Sequence, residues 1–120
     1  MAKRSVVTAA PIKVDVAGAV YELRPTLAAL RAISAALGGL KPAFQRIQDL
    51  DYEATAAVIA AGAGLKLRPS EADALVEAVW TSDQRGEIGG AAIEFLVVLL
   101  NGGAPPSDDG PVAEEPEGNG

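Results

Sequence analysis

The sequence predicts an α+β chain that is mostly α: an N-terminal β-hairpin, four or five helices, and a disordered acidic C-terminal tail. Three observations carry that expectation. Residues 12–24 alternate in polarity with a period of two, the signature of half-buried strands. Residues 27–100 repeat their aliphatic side chains at three- and four-residue spacing, punctuated by Gly, Pro and Asp, as helices with short connections do. From residue 102 the composition turns to Pro, Gly and acid with a single valine, too little apolar surface to offset the entropy of ordering. The chain thus divides into a flexible N-terminus (1–11), a hairpin plus helical domain (12–101) and the tail (102–120).

In the hairpin, Ile12, Val14 and Val16 alternate with Lys13 and Asp15, and Tyr21 and Leu23 with Val20, Glu22 and Arg24. Gly18 supplies the reversal. Ala17 tolerates positive φ poorly, so a two-residue turn and a three- or four-residue loop both remain open. Pro25 ends the second strand, and Thr26 is placed to cap the first helix. Leu27, Leu30, Ile33 and Leu37 make one face of that helix, and Gly38-Gly39 gives it a left-handed stop. Residues 41–50 space Phe44, Ile47 and Leu50 three apart behind Pro42, a short helix across the core.

Asp49 or Asp51 starts the next helix. Its sequence, YEATAAVIAAGA over residues 52–63, is apolar or small nearly all round, so it is buried on most of its circumference. Gly62 and Gly64 read as a helix end, because no phosphate-loop motif accompanies them. Ser70 opens a further helix with Asp73 three residues on, near the reciprocal capping pattern. Ala72, Leu75, Val76, Val79 and Trp80 form its apolar stripe, and Glu71, Asp73 and Glu77 its wet face. The stripe assigns Trp80 to the core, with a partner-interface anchor as the other reading. Gly89-Gly90 interrupts the chain after the Thr81-Ser82-Asp83 loop, and residues 91–100 complete a last helix with FLVVLL apolar on every side, part of which is expected at an interface.

Composition narrows the function classes. The chain has no cysteine and no histidine, which removes disulfides, thiolate nucleophiles, imidazole bases and the usual zinc ligands. Asp49, Asp51, Glu53, Glu71 and Asp73 fall at helix starts, where a negative charge complements the helix dipole, so capping is preferred over an acid/base or metal role. The expectation is a non-enzymatic protein with no catalytic, cofactor-binding or metal set. Net charge is −6, and the tail's five carboxylates, Asp108, Asp109, Glu114, Glu115 and Glu117, leave the body near −1. Scattered bases on a near-neutral body argue against nucleic acid. The longest large-apolar run, FLVVLL, is far short of the roughly 18 residues of a membrane span, and the N-terminus lacks the apolar core of a signal peptide, so a cytoplasmic location without membrane is expected. Aromatics are only 4% and much of the apolar count is alanine; so thin a core favours burial against another protein.

Tyr21, Leu23, Thr26 and Leu27 in a Tyr-x-Leu-x-x-Thr-Leu arrangement, leading into an alanine-rich helix that ends in Gly38-Gly39, resemble the small tail assembly chaperones of tailed phages and gene transfer agents, a group also catalogued as tail tube-like. Val58, Ile59 and Gly62 match an Ile-x-x-Gly-like helix of that family, and Pro69, Ser70 and Asp73 a Pro-Ser-x-x-Asp-like helix start. The resemblance spans residues 12–101. It implies a protein that binds and solubilises the tape measure protein during tail morphogenesis in the host cytoplasm, as a homo-oligomer and with the tail tube protein as a further candidate partner. The candidate interface residues are Leu27, Leu30, Trp80, Phe95 and Leu99. The alternatives are a structural tail component (tube or minor tail), or a small helical adaptor or regulator. A tube subunit would need more strands than one hairpin supplies.

Overall fold

The computed structural model describes residues 9–104. Its order is β1 (Ile12–Val16), β2 (Ala19–Leu23), α1 (Leu27–Leu37), α2 (Leu40–Gln48), α3 (Tyr52–Gly62), α4 (Pro69–Thr81) and α5 (Arg85–Leu100). The predicted fold class is the observed one, with five helices. Of the flexible N-terminus expected over residues 1–11 and the disordered tail expected over 102–120, residues 1–8 and 105–120 lie outside the described residues; residues 9–11 and 102–104 are described.

The strands pair antiparallel in the register Val16↔Ala19 through Ile12↔Leu23. The turn is the two-residue form, Ala17-Gly18, with φ of 55° and 86°, both left-handed as strand twist requires of a tight hairpin. Asp15 Oδ1 accepts the Gly18 N–H at 2.9 Å and so helps hold Ala17 in a conformation that costs an L-residue about 1–2 kcal/mol. Val14, Val16 and Leu23 are buried, while Lys13, Asp15 and Val20 face outward. A lone hairpin is marginal in water; here β1 lies on α5 and β2 on α3.

Thr26 caps α1 as expected, its Oγ1 accepting the Ala29 N–H at 3.0 Å, and Gly38 ends the helix at φ 87°. The buried stripe is Ala29, Ile33 and Leu37, displaced from the one the spacing suggested. Leu27, two residues before Ala29 and off that stripe, is 60% exposed. In α2 the buried pair is Ala43 and Ile47. Leu50 does not continue that face: the helix has ended, and Leu50 stands at φ 66°, exposed.

α3 is the innermost helix, with only Glu53 exposed along its length. Asp51 caps it, Oδ1 accepting the Ala54 N–H at 3.1 Å, and the buried Thr55 hydroxyl donates to the Asp51 carbonyl at 3.2 Å. At its far end Gly62 is buried because nothing larger fits. A Cβ there would lie 2.9 Å from Phe95 Cε2 and 3.0 Å from Leu23 Cβ. The Arg24 N–H donates to the Gly62 carbonyl at 2.9 Å, joining the hairpin to α3.

Two helix starts differ from expectation. α4 begins at Pro69, and its reciprocal cap runs from the Arg68 N–H to Glu71 Oε1 at 2.8 Å, in place of Ser70 with Asp73; Pro69 at the first position fixes the start two residues earlier. α5 begins at Arg85 and continues through Gly89-Gly90. Ile88 and Ala92 on either side are buried, and that packing outweighs a glycine penalty of about 1 kcal/mol per residue. Beyond α5, the Ala9 N–H donates to the Gly103 carbonyl at 3.0 Å, joining the two flanks of the 12–101 body, and the Gly103 N–H donates to the Val98 carbonyl at 2.8 Å.

Candidate protein-interaction surface

Five residues were expected at an interface, and the fold separates them. Phe95 is fully buried, wedged against Gly62 at the centre of the core; a ring in that position contributes to stability and cannot meet a partner without unfolding. Leu30 and Leu99 are half-buried, and Leu27 and Trp80 are exposed. Trp80 is 59% exposed, which corrects its assignment to the core: Leu75 and Val79 occupy the inward side of α4, and Trp80 falls on the flank. Leu27 and Leu99 share one end of the molecule, because a Cβ on Gly103, just past α5, would lie 3.6 Å from the Pro25 carbonyl oxygen. Trp80 belongs to the other end, just before α5 starts. The 16 residues of α5 set those ends about 24 Å apart.

An apolar recess runs between α3 and α4, with a volume of about 280 Å³. Ala56, Ala57 and Ala60 form one wall, and Leu67, Leu75 and Val76 the other. Methyl-sized side chains on α3 keep the recess open; larger ones would fill it. Glu53 and Asp73 stand at its rim. On α4, Ala72, Val76 and Trp80 recur every four residues and so share a face, which places Trp80 one turn beyond the recess floor. The arrangement is an apolar trough with the carboxylates of Glu53 and Asp73 in its lining, and the exposed indole of Trp80 lies one turn farther along α4, outside that lining. Such a surface suits an amphipathic helix presenting small or aliphatic anchors flanked by cations.

The trough was not legible as such. The stripe on α4 named Val76 and Trp80, but the alanines of α3 read as buried, and no local signal marks which alanine face lacks a covering helix. Val20, Leu50, Leu65, Val97 and Leu100 are also exposed.

Of the five carboxylates expected at helix starts, Asp51 and Glu71 make capping hydrogen bonds and Glu53 lies in the first turn of α3, whereas Asp49 stands at the C-terminal end of α2 and Asp73 lies past the first turn of α4. Asp51 Oδ2 also accepts from Arg46 Nε at 2.7 Å, tying the end of α2 to the start of α3. Burial pushes the Asp51 carboxyl up, but the Arg46 hydrogen bond, the Ala54 N–H, the Arg46 charge and the Glu53 N–H together outweigh it and hold the group below its ordinary 3.8. Among the described residues no three carboxylates gather as metal ligands. No single helix among them is long and apolar enough to cross a membrane.

No protein-family model, curated protein or solved structure matches this chain.

Proposed function

We propose that this chain is a tail assembly chaperone of the phage or gene-transfer-agent type, acting in the cytoplasm of the host cell by holding amphipathic helices of a tape measure protein in the α3–α4 trough. The trough, with the exposed Trp80 one helical turn beyond Val76, is the observation that carries the reading. Tryptophan is over-represented among residues that dominate binding energy, and an indole left in water one turn beyond an apolar recess has surface to bury. The family resemblance supplies the identity of the partner. A long helical protein awaiting polymerisation of its tube has apolar stripes to hide, and the rim carboxylates Glu53 and Asp73 favour stripes bordered by lysine or arginine.

Trp80 is the chain's single tryptophan, so its emission reports on partners that run along α4 beyond the trough. Titration with amphipathic helical peptides from a tape measure protein is expected to shift the emission to the blue. Trp80→Ala is expected to weaken binding by about 2 kcal/mol or more while leaving the fold intact, since the side chain is exposed. Co-expression is expected to keep the long protein soluble. Unchanged emission with every peptide, together with a long partner equally insoluble in the presence and absence of this chain, would refute the reading.

A further inference from the structure

The hairpin has two edges, and the fold ties down only one of them. Val16 and Ala19 flank the two-residue turn, so they form a hydrogen-bonded pair, and by alternation Val14 with Tyr21 and Ile12 with Leu23 do the same. The residues between turn their N–H and C=O groups away from the ladder, Lys13 and Asp15 on the β1 side and Val20, Glu22 and Arg24 on the β2 side. The β2 edge is joined to α3, because the Arg24 N–H donates to the Gly62 carbonyl at 2.9 Å. On the β1 edge, the N–H and C=O groups of Lys13 and Asp15 have no partner among the described residues. Both residues are exposed.

The side chains on that edge select what can join it. A lysine alone discourages strand addition, but lysine and aspartate two positions apart favour one form of it. When two copies of β1 run antiparallel about a two-fold axis at Val14, Lys13 faces Asp15 of the second copy, and Asp15 faces Lys13 of the second copy. These are the same residues whose backbone groups point outward. Both oppositely charged pairs therefore fall on hydrogen-bonded positions, and the two Val14 side chains meet in the non-hydrogen-bonded position between them. An axis at Lys13 or at Asp15 would set like charges against each other, and an axis between residues would oppose an outward-turned residue to an inward-turned one. Lys13 has no ion-pair partner among the described residues. Asp15 gives Oδ1 to the Gly18 N–H, which leaves Oδ2 for a lysine.

We infer that β1 is a self-pairing edge through which two copies of this chain join into one continuous sheet of order β2-β1-β1-β2, with Lys13–Asp15 ion pairs across the axis. The contact is isologous and closes on itself, as pairing of β1 with β2 of another copy would not. It gives each hairpin the further strands that a stable sheet needs. α5, on which β1 lies, carries the exposed Val97 and Leu100 to the same face of the joined sheet. The inference stands on the backbone directions and charges of β1 and does not depend on what the α3–α4 trough binds.

The test uses the full chain. Analytical ultracentrifugation is expected to show a monomer–dimer equilibrium. Lys13→Asp opposes carboxylates at both pairs and is expected to weaken the dimer roughly tenfold or more, with an unchanged melting temperature in dilute solution because Lys13 is exposed. Asp15→Lys is expected to weaken it likewise, and an equimolar mixture of the two variants, which restores opposite charges at both pairs, is expected to regain the affinity of the parent. Lys13→Asp keeps the Asp15 contact in the turn, so it decides the matter by itself if Asp15→Lys loses the hairpin. Amide exchange at Lys13 and Asp15 is expected to be slow where the dimer forms and fast where it does not. The inference is overturned by a strict monomer at about 1 mM, by a dimer that Lys13→Asp leaves unchanged, or by folded variants that associate no better mixed than alone. Slow exchange at Lys13 and Asp15 in the dilute monomer would overturn it too, since another part of the same chain would then cover the edge.

Discussion

Glycine to alanine at two helical positions is expected to change stability in opposite directions. Both gain from helix propensity, by about 1 kcal/mol. At Gly90 nothing lies within 4 Å of the new methyl, so the gain is kept and the melting temperature is expected to rise by about 4–8 °C. At Gly62 the methyl would sit 2.9 Å from Phe95 Cε2 and 3.0 and 3.1 Å from Leu23 Cβ and Cδ2, well inside the roughly 3.5–4.0 Å of comfortable carbon contact. Neither neighbour has room to retreat. Both are fully buried, and the Leu23 Cβ moves only with β2, which the Arg24 N–H ties to Gly62 itself. Overpacking of this kind costs about 1–3 kcal/mol, so Gly62→Ala is expected to lose about 1 kcal/mol net and melt lower by about 4–8 °C. Urea and thermal unfolding monitored by far-ultraviolet circular dichroism measure both variants. Phe95→Leu in the Gly62→Ala background removes the ring edge and is expected to destabilise by less than the same change in the parent. A Gly62→Ala protein as stable as Gly90→Ala would refute the picture of a closed contact between α3, α5 and the hairpin.

Ala17→Asn is expected to stabilise by about 1 kcal/mol, since asparagine accepts the left-handed conformation that alanine resists; urea midpoints check this. Asp51→Ala removes a cap and is expected to cost about 1 kcal/mol. Because the Asp51 carboxyl is held below its ordinary 3.8, its contribution is complete above about pH 5 and is lost as pH falls through 4 and below. The parent should therefore lose more stability than Asp51→Asn over that acid range. Leu100 is 59% exposed, so Leu100→Glu is expected to leave stability within about 0.5 kcal/mol yet to reduce any self-association seen by analytical ultracentrifugation; a self-association constant unaltered by the change would remove this end of α5 from the contact.

Much of the fold was legible because local and tertiary preferences agree. The period-two strands, the Thr26 cap, the Gly38 stop and the all-round burial of α3 need no knowledge of neighbours beyond a half-buried sheet or an inner helix. What misled was the edge of each stripe. Helical spacing puts Leu27 with Ile33 and Trp80 with Leu75, but an apolar stripe is about 100° wide, and only the position of the facing element decides which margin is covered. Gly89-Gly90 looked like a break because propensity is local and the burial of Ile88 and Ala92 is not. The trough was hidden for a related reason: a run of alanines looks the same whether a helix covers it or water does.

α5 has a further consequence. It touches β1, α2, α3 and α4, and it supplies Ile88, Phe95 and Leu96, which rank among the largest fully buried side chains. Those four elements therefore complete their packing only when α5 docks. While the ribosome is still making residues 85–100, β1 lacks the helix it packs on and Gly62 lacks the cover of Phe95. Contacts between β1 and α5 join residues some 75 positions apart, and such closures are slow to form. A nascent or truncated chain lacking α5 accordingly leaves the α5-facing sides of β1, α2, α3 and α4 uncovered. Its vulnerability to proteases and to association lies in the interval between the emergence of Ile12 and the docking of Phe95.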